Sequence, residues 1–476
     1  MRLDRLLPLI VACALFIENM DSTVLSTSLP AIAQDLATDP IALKLALTAY
    51  LLSLAVFIPV SGWVADRFGA RPTFMCAIAV FLLGSIGCAA SGSLGTLVAA
   101  RFVQGMGGAM MVPVGRLVLL RTVPKNELVR ALSWLTIPAL VGPVVGPPLG
   151  GFITTYFHWR WIFLINLPFG VLGILLAKRF IPDIRETPPP LDWVGFGLAG
   201  LGLALAMFGF STLGRHLVPV EVAAATLVLG LCGLAVYVVH ARRTRHPLLD
   251  LDLFRLATYR AGVGGGTLFR IGIGATPFLL PLMLQLGFGL SPVQSGMLTF
   301  VSAMGAMFMK TLAAQVLNRL GFRRVLVVNG LVSSALLCAF GLFRPETSHV
   351  VIVVTLLVSG FFRSLQFTSL NAISYAEVDQ KRMGHATSLA GMMQQLSLSL
   401  GVAIGGYLLQ IVGALEGRAA TDVHNFYVAF LCVGLISASS ALFMWRLPRN
   451  AGAEMSGRGR LGREVTEPKP EQLPAT

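Results

Sequence analysis

Apolar runs of about 20 residues recur along this chain, and no other feature of the sequence limits the fold as strongly. Runs of that length with few charges are typical of helices that cross a membrane. Lipid offers no partner to a free backbone group, so a spanning chain must form helices or a closed barrel. These runs are continuous and lack the alternation of a barrel strand. We therefore expect an all-α polytopic membrane protein, and the charged fraction of 12% agrees because it is about half that of a soluble protein.

Hydropathy and the charges between the runs predict fourteen spans. A first set of six is expected near 7–29, 44–64, 72–90, 96–118, 128–152 and 161–180. Two further spans are expected near 191–211 and 219–240. A second set of six is expected near 259–283, 292–314, 325–343, 349–371, 387–410 and 424–446.

The distribution of positive charge favours one orientation of these spans. If the N-terminus is cytoplasmic, 27 of the 36 Lys and Arg residues lie in cytoplasmic segments and five lie in outer loops. This bias predicts that both termini are cytoplasmic. Because topology explains the basic residues, the net charge of +14 does not indicate a nucleic-acid partner.

An internal repeat relates the two sets of six spans. The segment ADRFGAR at 65–71 follows the second span, and LNRLGFRR at 317–324 follows the tenth, with an arginine, a glycine and an arginine matching at one fixed offset. Both segments follow the second span of a six-helix unit, as expected for parallel six-helix halves. We therefore predict two six-helix bundles, two linker helices between them and a disordered polar tail. Their bounds are 1–180 and 251–446 for the bundles, 181–250 for the linker and 447–476 for the tail.

The fifth predicted span contains the string GPVVGPPLGG. Pro147 removes a backbone donor and its ring presses on the preceding turn, so we expect the helix to bend there. Four glycines recur at small-xxx-small spacing, at Gly142, Gly146, Gly150 and Gly151. That spacing lets a neighbouring helix come close in lipid. A bent, closely packed helix suits two bundles that rock against each other, although an interrupted helix without a special role is the alternative.

Five short segments resemble motifs of the major facilitator superfamily. GWVADRFGAR resembles the loop after the second helix, RFVQGMGG the fourth-helix motif and GPVVGPPLGG the fifth-helix antiporter motif. MDSTV followed by SLP resembles the first-helix motif of the 14-helix drug:proton antiporters of the EmrB/QacA type, and WRWIFLINLP resembles the entry to their sixth helix. The segments lie at 62–71, 101–108, 142–151, 20–30 and 159–168. The resemblance covers the chain from 7 to 446 and extends to the MdtD/HsrA-like group of that branch.

The resemblance implies proton-coupled efflux of lipophilic small molecules or drugs across the bacterial inner membrane by alternating access. The antiporter motif in the fifth helix implies export rather than uptake. Relatives of the EmrB type imply a periplasmic adaptor as a candidate partner, although no adaptor sequence is visible within this chain.

The resemblance also implies a conformational latch that holds the cytoplasmic side closed. Its residues are Gly62, Asp66, Arg67, Gly69 and Arg71. Asp66 is expected at a helix N-terminus, where the dipole favours an anion, and Gly62 at a close approach of helices. Ala70 stands where the motif commonly has a basic residue, which weakens the charge cluster, and ordinary positive-inside charge is the alternative role for the arginines.

Two carboxylates in the first span are expected to carry the proton. Glu18 and Asp21 are three residues apart, so they share one helix face. Burial and mutual repulsion both favour the neutral form of at least one, as a proton carrier requires. The resemblance points to Asp21 and to Arg101, which can pair with a first-span acid, whereas Glu18 rests on spacing alone. A structural hydrogen bond for Asp21 and a fixed salt bridge for Arg101 are the alternatives.

Three cations within spans of the second bundle are candidates for the substrate cavity, namely Arg270, Lys310 and Arg363. Arg270 and Arg363 lie near mid-span, and Lys310 lies nearer the cytoplasmic end, where its side chain can reach the interface. These charges either pair with acids of the first bundle and lock one conformation, or they receive the anionic group of a substrate. The sequence leaves both explanations open.

No pattern typical of an enzyme occurs. The chain has no Walker loop, no complete dinucleotide fingerprint and no Ser/His/Asp set, and its Cys and His residues lack metal-ligand spacing. We therefore expect no enzymatic activity, metal or cofactor, with the proton gradient as the energy source. The expected partners are protons, a lipophilic small molecule and the lipid bilayer. Two alternatives stay open: an exporter of one endogenous metabolite or organic acid, and a membrane sensor that does not transport.

Overall fold

The computed structural model describes residues 3–123, 128–212, 218–448 and 450–453 of the chain. Within these residues every regular element is a helix, and thirteen helical stretches are long and apolar enough to cross a membrane. The helix at Leu128–Tyr156 completes the predicted series. The fold is therefore the expected all-α polytopic one. Residues 454–476 of the predicted tail lie outside the described residues.

The first bundle contains six helices in the predicted order. They are α1 (Leu3–Asp35), α2 (Lys44–Phe68), α3 (Ala70–Ala90), α4 (Leu94–Thr122), α5 (Leu128–Tyr156) and α6 (Trp161–Phe180). Several extend beyond the predicted apolar run, because a helix can continue past the boundary of the hydrocarbon. Helix α5 continues as a single helix through Pro147.

Two linker helices follow, α7 (Trp193–Thr212) and α8 (Val220–Arg243). The second bundle contains α9 (Ala257–Gly287), α10 (Pro292–Leu320), α11 (Phe322–Phe340), α12 (His349–Ser374), α13 (Met383–Glu416) and α14 (Val423–Trp445). Helices α7 and α8 pack on each other, and α7 also lies against α2 and α13, so it touches both bundles.

Helix α9 is irregular, because two π-helical turns interrupt it at Arg260–Gly265 and Met283–Gly287. A π turn rotates the side chains that follow it relative to the ordinary 3.6-residue repeat. The direction in which α9 points its side chains therefore cannot be derived from regular helical spacing.

The predicted repeat has a structural counterpart. Gly69 joins α2 to α3 and Gly321 joins α10 to α11, with φ angles of 100° and 78°. These angles lie in the left-handed region that favours glycine. Each glycine N–H donates to the carbonyl four residues earlier, at 3.0 Å and 2.9 Å. The same turn thus joins equivalent helices in both bundles. We call the end of the molecule that carries these two turns the basic end.

The two bundles close against each other at the opposite end, along α5 and α10. The backbone N–H of Val293 donates to the Thr155 hydroxyl at 3.2 Å. The Gln285 amide on α9 donates to the Thr27 carbonyl on α1 at 2.9 Å. Because these bonds tie the first bundle to the second, the structure is closed at the opposite end.

Candidate functional site

A cavity of about 2440 Å³ lies between the two bundles and opens at the basic end. Glu18 and Tyr50 of the first bundle line it, and Lys310, Tyr375 and Gln394 line it from the second. Residues of the segments between helices line its mouth. We call it the central cavity. A cavity between two bundles that are closed at one end and open at the other is accessible from one side only.

Asp21 and Arg101 form a fully buried ion pair beside the central cavity. Nη1 of Arg101 lies 2.6 Å from Oδ2 of Asp21, and the two side chains are 0% and 1% exposed. Burying two charges costs several kcal/mol per ion unless they pair and find further hydrogen bonds. Gln104 and Asn166 supply these, because each amide donates to Oδ1 of Asp21 at 2.8 Å. The predicted pair of acid and arginine is therefore present as a network.

Gln104 and Asn166 were not predicted as site residues, although both lie within the segments that resemble family motifs. Gln104 is three residues after Arg101, so the two share one face of α4. Its carbonyl oxygen accepts from Nη1 of Arg101 at 2.6 Å, and its amide also donates to Ser85 at 2.9 Å. Its three-residue spacing from Arg101 could therefore have identified Gln104 as a site residue from the sequence. Nothing local to Asn166 indicates that it reaches Asp21 from α6.

Tyr50 connects this network to the central cavity. The Arg101 guanidinium lies 4.2 Å from the centre of the Tyr50 ring, within the range of a cation–π contact. The Tyr50 hydroxyl donates to Oε1 of Glu18 at 3.4 Å. A single aromatic side chain therefore contacts both the buried arginine and the carboxylate that lines the cavity.

Glu18 and Asp21 do not face the cavity together, which corrects the expectation from their spacing. Glu18 lines the central cavity, whereas Asp21 is directed to Arg101. Residues three apart on a helix differ in direction by about 60°. In α1 this difference is enough to place one carboxylate in the cavity wall and the other in the interior of the bundle.

The predicted latch residues lie near one another at the basic end, but their contacts differ from those expected. Asp66 lies in the last turn of α2 rather than at a helix N-terminus, and its Oδ1 accepts from Arg121 at 2.7 Å. Arg121 also lies 3.2 Å from Glu186, which precedes the linker helices. Among the described residues, no atom of a neighbouring element lies within 4 Å of a Cβ placed on Gly62, so the close approach of helices expected at that glycine is not present in this open conformation.

The other latch positions are less engaged. Arg67 is exposed and Arg71 is partly buried. Gly69 has a structural role, because its backbone conformation favours glycine and a Cβ there would lie 3.1 Å from Nε of Arg185. In this conformation the ion pairs of Arg121 help to fasten the segment after α6 to the ends of α2 and α4. Hydrogen bonds add to them, because the Glu186 N–H donates to the Asp66 carbonyl at 3.1 Å and the Trp63 indole N–H donates to the Pro189 carbonyl at 2.9 Å.

The glycines of α5 pack as their spacing predicts. A Cβ on Gly142 would lie 3.0 Å from the Phe16 carbonyl, and one on Gly150 would lie 2.5 Å from the Val24 carbonyl, both on the backbone of α1. Gly146 faces the same helix, at Thr23.

The other side of α5 meets the second bundle. A Cβ on Gly151 would lie 2.8 Å from Cα of Val293 on α10. The Pro147 carbonyl lies against Gly296, also on α10. Helix α5 is thus packed closely on its own bundle through one side and on the second bundle through another.

Only one of the three predicted cavity cations lines the central cavity, namely Lys310. Arg270 is 2% exposed and donates to the carbonyl of Gly262 at 3.3 Å and to the Asn371 side chain at 3.1 Å. Arg363 is half-buried and donates to Ser302 at 3.4 Å. Neither arginine lines the cavity, and neither contacts Asp21. The π turn that precedes Arg270 accounts for the direction of this side chain away from the cavity, because such a turn rotates the side chains that follow it.

Arg116 is a cavity residue that the sequence analysis missed as a candidate. It lines the central cavity from α4. Its charge also reaches the other bundle: burial raises the pKa of Tyr375, which is at the end of α12, and the cations of Arg270 and Arg116 oppose that rise. Its position in the sequence did not indicate a cavity residue, because basic residues near the end of a span usually set topology.

Comparison with known proteins agrees with this architecture. The family model described as Major Facilitator Superfamily matches residues 11–192 and 263–469. "Putative multidrug resistance protein MdtD" of Escherichia coli (strain K12) is 37% identical over 444 residues, which cover 93% of this chain and 94% of the relative. A protein of the same name in Klebsiella pneumoniae subsp. pneumoniae is 38% identical over 449 residues, which cover 93% of this chain and 95% of that relative.

Solved structures share the fold at low sequence identity. A D-xylose-proton symporter superposes with a TM-score of 0.66 at 15% identity, covering 94% of this chain and 98% of the symporter. An auto inhibited POT family peptide transporter has a TM-score of 0.66 at 16% identity, covering 98% and 99% of the two chains. The matched family model, the extensive identity with these relatives and the common fold make this multi-pass membrane protein a transporter rather than an enzyme, and the chain belongs to the major facilitator superfamily.

Proposed function

We propose that this protein exports lipophilic small molecules across the bacterial inner membrane in exchange for protons, by alternating access. The observation that carries the proposal is the buried ion pair of Asp21 and Arg101 beside the central cavity. An ionisable group inside a membrane span is costly, so each one is a functional hypothesis.

Protonation of Asp21 would remove the negative charge that compensates Arg101 in this network. A neutral carboxyl no longer attracts the guanidinium of Arg101, and an uncompensated buried charge costs about 3–5 kcal/mol. One proton that crosses a potential of 100 mV supplies about 2.3 kcal/mol. The two quantities are of similar size, so proton entry can shift the conformational equilibrium of the bundle. Gln104 remains as an acceptor for Arg101 while the carboxyl is neutral.

The packing of α5 supports movement of the two bundles as units. Gly142, Gly146 and Gly150 pack against α1, whereas Gly151 and the carbonyl of Pro147 pack against α10. Separation along the α5–α10 contact would open the opposite end, and closure at the basic end would complete the cycle. The Arg121 ion pairs with Asp66 and Glu186 lie where that closure would occur.

The direction of transport and the substrate class rest on the relatives. Their name refers to multidrug resistance. Export of drug-like, lipophilic compounds is the corresponding proposal for this chain. The charge bias of the loops supports cytoplasmic termini, so that the central cavity would open to the cytoplasm. A periplasmic adaptor remains a candidate partner.

The test is proton movement in liposomes that contain the purified protein and an internal pH dye. Cationic, neutral and anionic lipophiles are added under a pH gradient, with Asp21→Asn and Glu18→Gln measured in parallel. Proton movement that requires both a substrate and Asp21 is expected. A transporter of one endogenous metabolite would respond to none of the lipophiles but would still move protons with its own substrate. Proton and substrate flux that are unchanged by both substitutions would contradict the assignment of the proton site.

A further inference from the structure

Charged residues line the central cavity unevenly. Near the basic end, four lining acids are matched by a basic partner within the described residues. The pairs are Asp66 with Arg121, Asp250 with Arg382, Asp252 with Arg255, and Asp192 with His240. Because their charges offset each other when the histidine is protonated, they add little to the electrostatic potential deeper in the cavity.

The other charged residues of the lining are mostly cations. Among the described lining residues they are Arg116, Arg242, Arg245, Arg260 and Lys310, with Glu18 as the single acid. None of these six takes part in the ion pairs found within 4.0 Å among the described residues. The cavity is therefore net positive whether Glu18 carries a proton or not. A cleft lined by one sign of charge between low-dielectric walls concentrates ligands of the opposite sign.

Membrane topology explains only some of these cations. Arg242, Arg245 and Arg260 lie at or beyond helix ends, where positive residues set orientation. Lys310 precedes the end of α10 by ten residues, and Arg116 precedes the end of α4 by six residues. Both lie inside the predicted spans, at 292–314 and 96–118, and both line the cavity rather than facing lipid. An ionisable side chain that faces a cavity from within a span is a functional hypothesis beyond topology.

We propose that Arg116 and Lys310 bind the anionic group of an amphipathic substrate, such as a carboxylate or sulfonate with a lipophilic body. The inference rests on the proposed export function, because it names the substrate class of the same cavity. Arg116 belongs to the first bundle and Lys310 to the second. An anion bound between them attracts both bundles, so the substrate itself favours closure at the basic end.

The rest of the lining suits such a ligand. Leu54, Ile58 and Val112 provide apolar surface on the first bundle, and Gln394 and Gln395 provide amide groups on α13. The guanidinium of Arg116 offers paired N–H donors that match the geometry of a carboxylate. A lipophilic cation would find only the Glu18 carboxylate among these charges.

The test is equilibrium binding to the full-length protein in lipid nanodiscs. Three dansyl-labelled dodecyl amphiphiles are compared, which differ only in a terminal sulfonate, amide or trimethylammonium group. The sulfonate is expected to bind about tenfold more tightly than the amide, and the trimethylammonium compound more weakly than both. Lys310→Gln and Arg116→Gln should each weaken sulfonate binding by about tenfold and leave amide binding unchanged.

Two further variants make the result decisive. Arg324→Gln removes an exposed cation that is outside the cavity lining, and it should leave all three affinities unchanged. Lys310→Glu should weaken sulfonate binding more than Lys310→Gln does, because it places a negative charge beside the bound anion. Tightest binding of that compound to the unmodified protein, or an equal loss for all three compounds in Lys310→Gln, overturns the proposal. Sulfonate binding without any proton movement in liposomes would instead leave the anion site standing and refute proton coupling.

Discussion

Nη1 of Arg101 lies 2.6 Å from Oδ2 of Asp21, and this ion pair joins α4 to α1 inside the first bundle. The two helices also flank the central cavity, because Glu18 lines it from α1 and Arg116 from α4. A change in charge at Asp21 therefore acts on the same two helices that contribute Glu18 and Arg116 to the cavity wall. This arrangement offers a direct physical route from proton binding to the shape of the cavity.

The buried pair should behave as a unit in stability measurements. Asp21→Asn leaves the Arg101 charge uncompensated and is expected to lower the free energy of unfolding by about 3–5 kcal/mol. Arg101→Met should cost a similar amount. The double variant should cost less than the sum, because removing both charges avoids an unpaired ion. Equilibrium unfolding in mixed micelles measures the cycle, and strictly additive losses would contradict the pairing.

Gln104 should matter for transport more than for substrate binding. Gln104→Leu removes the second acceptor of Arg101 Nη1, so after protonation of Asp21 that atom would keep only the weaker acceptor of a neutral carboxyl. We expect transport to fall by about tenfold, equivalent to about 1.4 kcal/mol, with little change in KM. Ser85→Ala is the matched control, because that hydroxyl accepts from the amides of Gln104 and Asn166 and does not contact Arg101. An equal loss in both variants would indicate a merely structural role for the network.

The sequence was informative where a residue's role depends on local spacing or on a recognisable segment. Asp21 and Arg101 could be paired in advance because both are costly in a span and both lie in family-like segments. The direction of Arg270 could not be predicted, because the π turn before it breaks the regular repeat from which faces are derived. Arg116 was missed for a different reason: its charge fits the topology rule, and only the assembled cavity shows that it faces inward.

The contact between α5 and α1 should be intolerant of a larger side chain. Gly150→Val places a Cβ 2.5 Å from the Val24 carbonyl, so backbone must shift. Overpacking of this kind costs about 1–3 kcal/mol. Gly197→Val on α7 is the control, because no atom of another element in the described part of the chain lies within 4 Å of a Cβ there. Thermal unfolding in detergent should separate the two, and equal unfolding temperatures would show that α5 can move away from α1 without cost.

The ion pair of Asp66 and Arg121 should influence conformation rather than stability. Its side chains are 21% and 25% exposed, so the net contribution to folding should be about 0–1 kcal/mol. Arg121→Gln is nevertheless expected to reduce transport several-fold, because it also releases Glu186. Exchanging the charges in Asp66→Arg with Arg121→Asp should restore part of the activity. No recovery in the exchanged protein, with normal folding, would show that the pair does not act as a latch.

Whether the opposite end must open during transport can be tested by cross-linking α5 to α10. The N–H of Val293 lies 3.2 Å from the Thr155 hydroxyl, so cysteines at these two positions are close enough for a short cross-linker. The six native cysteines are first replaced. Cross-linking should abolish transport, because the contact between α5 and α10 must separate for the opposite end to open. Reduction of a cleavable linker should restore it, and each single-cysteine variant serves as a control for the chemical treatment.

A third cysteine distinguishes a locked transporter from a damaged one. Gln395→Cys lines the central cavity, which is open at the basic end, so a maleimide should label it equally well before and after cross-linking. Loss of labelling together with transport would mean that the cross-link distorts the protein. Full transport by the cross-linked protein would contradict alternating access through the α5–α10 contact, because substrate would then cross the membrane while the opposite end stays closed.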